Sequence, residues 1–151
     1  MKKAGIISLG CPKNRVDSEN ILGLIKHVGY ELTNNVDEAE YLFINTCGFI
    51  NDSKKESIDT ILENINSDKK VIVTGCLVER YLDDLKREIP EVDLWIPIKD
   101  YPIFSKRLAE LDKDIKVDGG LDYHYRILSS GRYTAYLRIG EGCSNHCSYC
   151  A

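Results

Sequence analysis

The sequence predicts an α/β fold: a mainly parallel sheet flanked by helices. Two observations carry that prediction. Short apolar runs recur along the first hundred positions, and segments with helical periodicity follow them, an order that implies βαβ units. Several of these runs are apolar at successive positions rather than at alternate ones, as in strands covered on both faces. With 151 residues, 43% hydrophobic and 29% charged, the chain suits one core-bearing domain and is short for two complete ones.

The elements follow in order. Residues 4–9 (AGIISL) read as the first buried strand. Residues 18–28 place Ile21, Leu24, Ile25 and Val28 on one helical face, with Gly29 as the stop. Residues 30–33 suggest a short strand, and Tyr41–Thr46 (YLFINT) a clear one. Ser53 and Glu56 form a capping-box signature ahead of the apolar stripe Ile58, Ile61, Leu62 and Ile65. Lys70–Gly75 (KVIVTG) is another buried strand, and residues 79–89 read as a helix stopped by Pro90. Residues 92–96 (VDLWI) close the strand series. Asp100 and Pro102 then open a helix to about Leu111, with proline in its permitted first turn. Residues 112–132 contain the turn signals DKD, DGG and SSG. Residues 133–139 (YTAYLRI) read as a new strand. The pattern divides the chain into residues 1–130 and 131–151.

Composition excludes several classes. A net charge of −4 gives no strong nucleic-acid signal. The apolar run near the N-terminus is too short for a signal peptide and lacks a small-residue cleavage site. No run approaches a transmembrane length, so no membrane partner is implied. The chain reads as cytoplasmic, where its six cysteines are not expected to pair as disulfides.

Cys11, Cys47 and Cys76 each follow a predicted strand, at the sheet edge where open parallel sheets bind ligands. Each has a glycine neighbour (Gly10, Gly48 and Gly75), which lets backbone approach a ligand closely. Free cysteines are often small buried hydrophobes, but three at equivalent positions point to a shared metal site. Three thiolates suit an iron–sulfur cluster with one open iron, whereas structural zinc takes four protein ligands. His27 and His124 read as packing or surface residues. The last three cysteines, Cys143-x3-Cys147-x2-Cys150, fall within eight positions, a density that means metal chemistry, a disulfide scaffold or an accident. Zinc held by these cysteines and His146 is the alternative to a cluster, although the spacing differs from paired zinc knuckles.

The C-x3-C-x2-C motif resembles the signature of the radical S-adenosylmethionine (SAM) enzymes. With SLGCPKNRVDSE (8–19), INTCGFI (44–50) and TGCLVERY (74–81), the whole chain resembles the start of a radical SAM methylthiotransferase. Pro12, Lys13 and Asn14 after the first cysteine, and Gly48, Phe49 and Ile50 after the second, resemble the branch that methylthiolates an aspartate β-carbon. Its substrate is small-subunit ribosomal protein number twelve.

The resemblance implies two 4Fe–4S clusters and S-adenosyl-L-methionine as cofactors. Cys11, Cys47 and Cys76 would hold the auxiliary cluster. Cys143, Cys147 and Cys150 would hold the cluster that binds S-adenosylmethionine and releases a 5′-deoxyadenosyl radical, with Tyr149 beside it. Lys13, Asn14 and Asp17 would tune the auxiliary cluster, with helix capping as the other reading of Asp17. It further implies that residues 131–151 are the first strand and cluster loop of a truncated radical-SAM (β/α) barrel. The chain alone is then expected to be inactive, and its tail from about residue 128 loosely held. The sulfur and electron donors are not implied. Two other readings remain: a tRNA adenosine methylthiotransferase, and a flavodoxin-like module with structural zinc.

Overall fold

The computed structural model describes residues 1–121, 123–140 and 142–149. Among these residues, five strands form one parallel sheet: β1 (Lys3–Ser8), β2 (Glu31–Leu32), β3 (Tyr41–Thr46), β4 (Lys70–Gly75) and β5 (Leu94–Ile96), in the order β2-β1-β3-β4-β5. Ile6 pairs with Phe43, Phe43 with Ile72, and Ile72 with Leu94. Among the described residues, four α-helices flank the sheet: α1 (Pro12–His27), α2 (Asn51–Asn64), α3 (Cys76–Glu88) and α4 (Phe104–Leu108).

Side chains alternate along each strand, so the apolar runs feed two cores. Phe43, Ile72, Leu94 and Ile96 pack with Ile21, Leu24 and Ile25 of α1 and with Phe104 and Leu108 of α4. Leu42, Ile44, Val71, Val73 and Trp95 pack with Ile61 of α2 and with Leu77, Val78 and Leu85 of α3. The prediction that the central strands are covered on both faces is met for this reason. Among the described residues, no helix is long and apolar enough to cross a membrane.

Several boundaries differ from the sequence expectation. Helix α1 begins at Pro12, six residues earlier than its apolar stripe indicates, with Cys11 as N-cap and the proline in the first turn. Its first half buries Asn14, Asp17, Ser18, Glu19 and Asn20, a polar face that hydrophobic periodicity does not reveal. It ends as predicted at Gly29. The Gly29 N–H donates to the Lys26 carbonyl and the Tyr30 N–H to the Ile25 carbonyl, closing a Schellman motif.

Helix α2 begins at Asn51 with Ile50 as N-cap, so Ser53 lies inside the first turn and no side chain caps this end. Helix α3 starts at Cys76, and Tyr81 leaves helical geometry within it (φ −128°, ψ 27°). The predicted helix from Asp100 is a 3-10 segment, Ile98–Ile103, followed by the short α4.

Residues 133–139 form no strand. An isolated strand leaves its amide groups without a ladder partner. The segment leading to it is nevertheless docked on α1. The Ile127 N–H donates to the Glu19 carbonyl. The Arg126 guanidinium pairs with the buried Glu19 carboxylate, and Arg138 pairs with Asp17 (2.8 Å). Asp17 is therefore an anchor for the tail rather than a helix cap. At Gly23 the backbone of Tyr125 and Arg126 passes so close that a Cβ would collide with the Tyr125 carbonyl oxygen. Gly23→Ala is therefore expected to lift residues 123–129 from α1. Hydrogen exchange at the Ile127 amide should accelerate at least tenfold, about 1.4 kcal/mol of lost protection. An unchanged rate would show that this contact does not hold the segment.

Candidate metal centre

Each of the first three cysteines follows a strand at the carboxyl edge of the sheet. Cys11 lies in the loop from β1 to α1, Cys47 directly follows β3, and Cys76 opens α3 directly after β4. Strands β1, β3 and β4 are adjacent, so residues far apart in sequence meet at one edge. All three line a single cavity of about 490 Å³, with Lys13, Phe49, Ile50 and Arg80 among its other walls. Cys11 is exposed, Cys76 half-buried and Cys47 buried.

The flanking glycines bring these loops together. Gly10 has φ +88°, and a Cβ there would stand 2.5 Å from Cys47 Cβ and 2.8 Å from Cys47 Sγ. The first cysteine loop thus rests directly on the second cysteine. Gly75 has φ +104°, and a Cβ there would strike the Thr46 carbonyl oxygen. Only glycine takes both the left-handed backbone and the close approach.

Hydrogen bonds fix the backbone at the second cysteine. The Cys47 N–H donates to Ser57 Oγ (3.0 Å), and that hydroxyl donates back to the Cys47 carbonyl (2.8 Å). Burial pushes the Cys76 thiol pKa up; Lys13 opposes this, and the neighbouring Cys47 and Cys11 add to it. The three cysteines line the same cavity. They sit in a mouth that holds two cationic side chains and two exposed apolar ones, Phe49 (56%) and Ile50 (51%).

Among the described residues, no three His, Cys, Asp or Glu side chains stand close enough to hold a single metal ion. Two thiolates on one zinc lie at most about 4.6 Å apart, twice the bond length of about 2.3 Å. In a 4Fe–4S cluster each thiolate binds a different iron and the sulfurs stand wider. A roomy cavity walled by three cysteines at separate strand ends fits the second arrangement.

Among the described residues, Cys143 and Cys147 do not line this cavity. Cys143 and Cys147 are exposed, and Cys143 Sγ accepts from the Asn145 N–H at 3.4 Å. Tyr149 is exposed. Cys150 lies outside the described residues. His27 stacks on Tyr125 and pairs with Asp118, in keeping with a packing role. Sequence reasoning missed Ser57 and Asn45, which support the site from α2 and β3; no local pattern marks either.

Comparison with known proteins finds relatives along nearly the whole chain. The ribosomal protein uS12 methylthiotransferase RimO of Alkaliphilus oremlandii (strain OhILAs) is 49% identical over 152 residues, covering 97% of this chain and 35% of its own length. The protein of that name from Aquifex aeolicus (strain VF5) is 49% identical over 150 residues, covering 99% of this chain and 33% of its own. That of Caldicellulosiruptor saccharolyticus is 45% identical over 164 residues, covering 100% and 37%. The chain thus spans about a third of the length of the curated relatives it matches. Residues 3–97, which hold Cys11, Cys47 and Cys76 and all five strands beneath them, match the model described as Uncharacterized protein family UPF0004, and the chain belongs to that family.

Proposed function

We propose that this chain is the cluster-bearing part of a methylthiotransferase that modifies an aspartate of ribosomal protein uS12. The observation that carries the reading is the meeting of Cys11, Cys47 and Cys76 at one cavity on the carboxyl edge of the sheet. These three would hold a 4Fe–4S cluster with one open iron. Cys143, Cys147 and Cys150 would hold a second cluster, the one that binds S-adenosylmethionine, with Tyr149 beside it. Residues 1–130 would then form the first cluster domain and residues 131–151 the beginning of the second. The bound cofactors supply sulfur and a carbon-centred radical, chemistry that no side chain here provides, because an unactivated C–H bond offers a general base nothing to work on.

The chain's own residues have narrower tasks. The three thiolates bind from rigid strand ends. Lys13 and Arg80 place positive charge at the cavity, suited to an anionic sulfur ligand. Phe49 and Ile50 offer apolar surface at its mouth, against which a substrate chain excludes water. The similarity to proteins named for uS12, together with Pro12 and Lys13 after the first cysteine, supports a ribosomal protein rather than tRNA as substrate, and a cytoplasmic site of action.

Anaerobic reconstitution followed by iron and acid-labile sulfide analysis tests the reading. About eight irons and eight sulfides per chain are expected, four for each cluster. About one zinc and no sulfide would defeat it. The substrate is tested with the full-length protein by mass spectrometry of uS12, where a methylthio adduct on an aspartate is expected. An adduct on tRNA adenosine alone would reassign the substrate.

A further inference from the structure

We infer that Asn14 is the positioning residue of the three-cysteine site: one buried carboxamide ties the three cysteine-bearing segments to one another. The inference rests on the reading that Cys11, Cys47 and Cys76 act together as ligands. Asn14 is fully buried. Its Nδ2 donates to the Leu9 carbonyl at 3.0 Å and to the Thr46 carbonyl at 2.7 Å. Leu9 lies two residues before Cys11, and Thr46 directly precedes Cys47. Its Oδ1 accepts from Cys76 Sγ at 3.5 Å. A single side chain therefore touches the end of β1, the end of β3 and the start of α3.

The orientation of the amide is determined. A flipped amide would set its oxygen against two carbonyl oxygens, so Nδ2 must face them. The Asn14 backbone is held as well. Its carbonyl accepts from Asn45 Nδ2 (2.8 Å), which also donates to Ser18 Oγ (2.8 Å), and Ser18 donates to Ser8 Oγ (2.7 Å). The chain of bonds runs from β3 through α1 back to β1.

Only asparagine meets the requirement. Two donors on one short planar group must reach both carbonyl oxygens, and the Oδ1 contact with Cys76 holds while that sulfur is a thiol. Aspartate has no donor when ionised, serine has one, and glutamine is a methylene too long. The two Nδ2 bonds involve no thiol proton, so they persist whether or not the cysteines hold metal. Groups that orient ligands in this way typically contribute 10- to 100-fold to metal affinity.

The test uses the chain with Cys143, Cys147 and Cys150 changed to alanine, so that only the first site is read. Asn14→Asp keeps the side-chain volume and removes both donors. Asn14→Ser serves as a second variant, keeping one donor should the aspartate variant fold poorly. Ser105→Ala is the stability control. Its buried hydroxyl bonds the Gly119 carbonyl and the Asp118 N–H and does not line the cysteine cavity. Cadmium titration, followed by thiolate-to-metal absorption, reports how readily the thiols draw in from their wider spacing onto one ion, independently of any cluster. Thermal melting and the electron paramagnetic resonance spectrum of the reconstituted, reduced cluster accompany it.

Cadmium affinity is expected to fall about 10- to 100-fold in Asn14→Asp, with an altered spectrum for whatever cluster remains. Ser105→Ala should bind as the parent does, even with a lowered melting temperature. Parent-like cadmium affinity in both Asn14 variants, or an equal loss in Ser105→Ala, would overturn the assignment. A parent that binds cadmium but assembles no iron–sulfur cluster would overturn the cluster reading alone, and the role of Asn14 would still be decided by the cadmium series.

Discussion

Changing Cys11, Cys47 and Cys76 together to alanine is expected to remove about half of the iron and half of the acid-labile sulfide from the reconstituted chain. The other half should be lost when Cys143, Cys147 and Cys150 are changed instead. Each set supplies three thiolates, enough for one cluster of four irons with one iron open. The first set lines a cavity at the sheet edge, and among the described residues neither Cys143 nor Cys147 lines it. The fold should survive the first triple. Only Cys47 is buried, at 5% exposure, and a free cysteine packs as a small hydrophobe that alanine nearly replaces. Far-ultraviolet circular dichroism checks that point. Complete loss of iron from either triple would mean one site that needs all six thiolates, and the two-cluster reading would fall.

Glu19→Ala is expected to destabilise the chain by about 3–5 kcal/mol, the usual consequence of deleting one partner of a buried ion pair. The Glu19 side chain is 1% exposed and that of Arg126 10% exposed. One carboxylate oxygen accepts from Arg126 Nε at 2.7 Å and from its Nη2; the other accepts from the Ser129 N–H and Oγ, both at 2.8 Å. Removal leaves the Ser129 N–H without its acceptor and the Arg126 guanidinium without its counter-charge, with the Tyr136 carbonyl as a remaining acceptor, in a place water reaches poorly.

The same site sets a pH dependence. Burial alone would raise the Glu19 pKa, but the bonds from Ser129 and Arg126 outweigh it and hold the pKa below the ordinary value. A lowered folded-state pKa gives stability that is complete above the unfolded value of about 4.3 and is lost as pH falls through the folded one. Denaturant midpoints measured from neutral pH downward should therefore drop in the parent. In Glu19→Ala they should lack that component, having lost it at every pH. A loss below about 1 kcal/mol at neutral pH would mean that the 126–129 segment is not anchored here.

These two sites differ in how visible they are in sequence. The cysteine edge is legible because it follows from local pattern. Apolar runs such as YLFINT and KVIVTG declare buried strands, and a cysteine beside glycine after each declares the edge. The Glu19 anchor is not legible. Its partners Arg126 and Ser129 stand more than a hundred residues away, and an acidic residue on a predicted helix ordinarily marks the solvated face. The start of α1 was hidden for a related reason. Asn14, Asp17, Ser18, Glu19 and Asn20 are polar and buried, so the apolar stripe stands out only from Ile21. Pro12 directly after Cys11 was the available signal. Residues 133–139 carry strand-like composition without a strand, because composition cannot supply the neighbour that a ladder needs.

By itself the sequence determined the α/β class, the five strands and the convergence of Cys11, Cys47 and Cys76. Each of these is written in short-range alternation and in residues beside strand ends. Tertiary structure alone decided that Asn14 joins the three cysteine loops, that Ser57 clamps Cys47, and that Glu19 and Asp17 receive arginines from the distant tail. Hydrogen bonds and ion pairs of this kind depend on which groups end up within about 3 Å of each other, and that is fixed only when the sheet order brings separate stretches of chain to one edge.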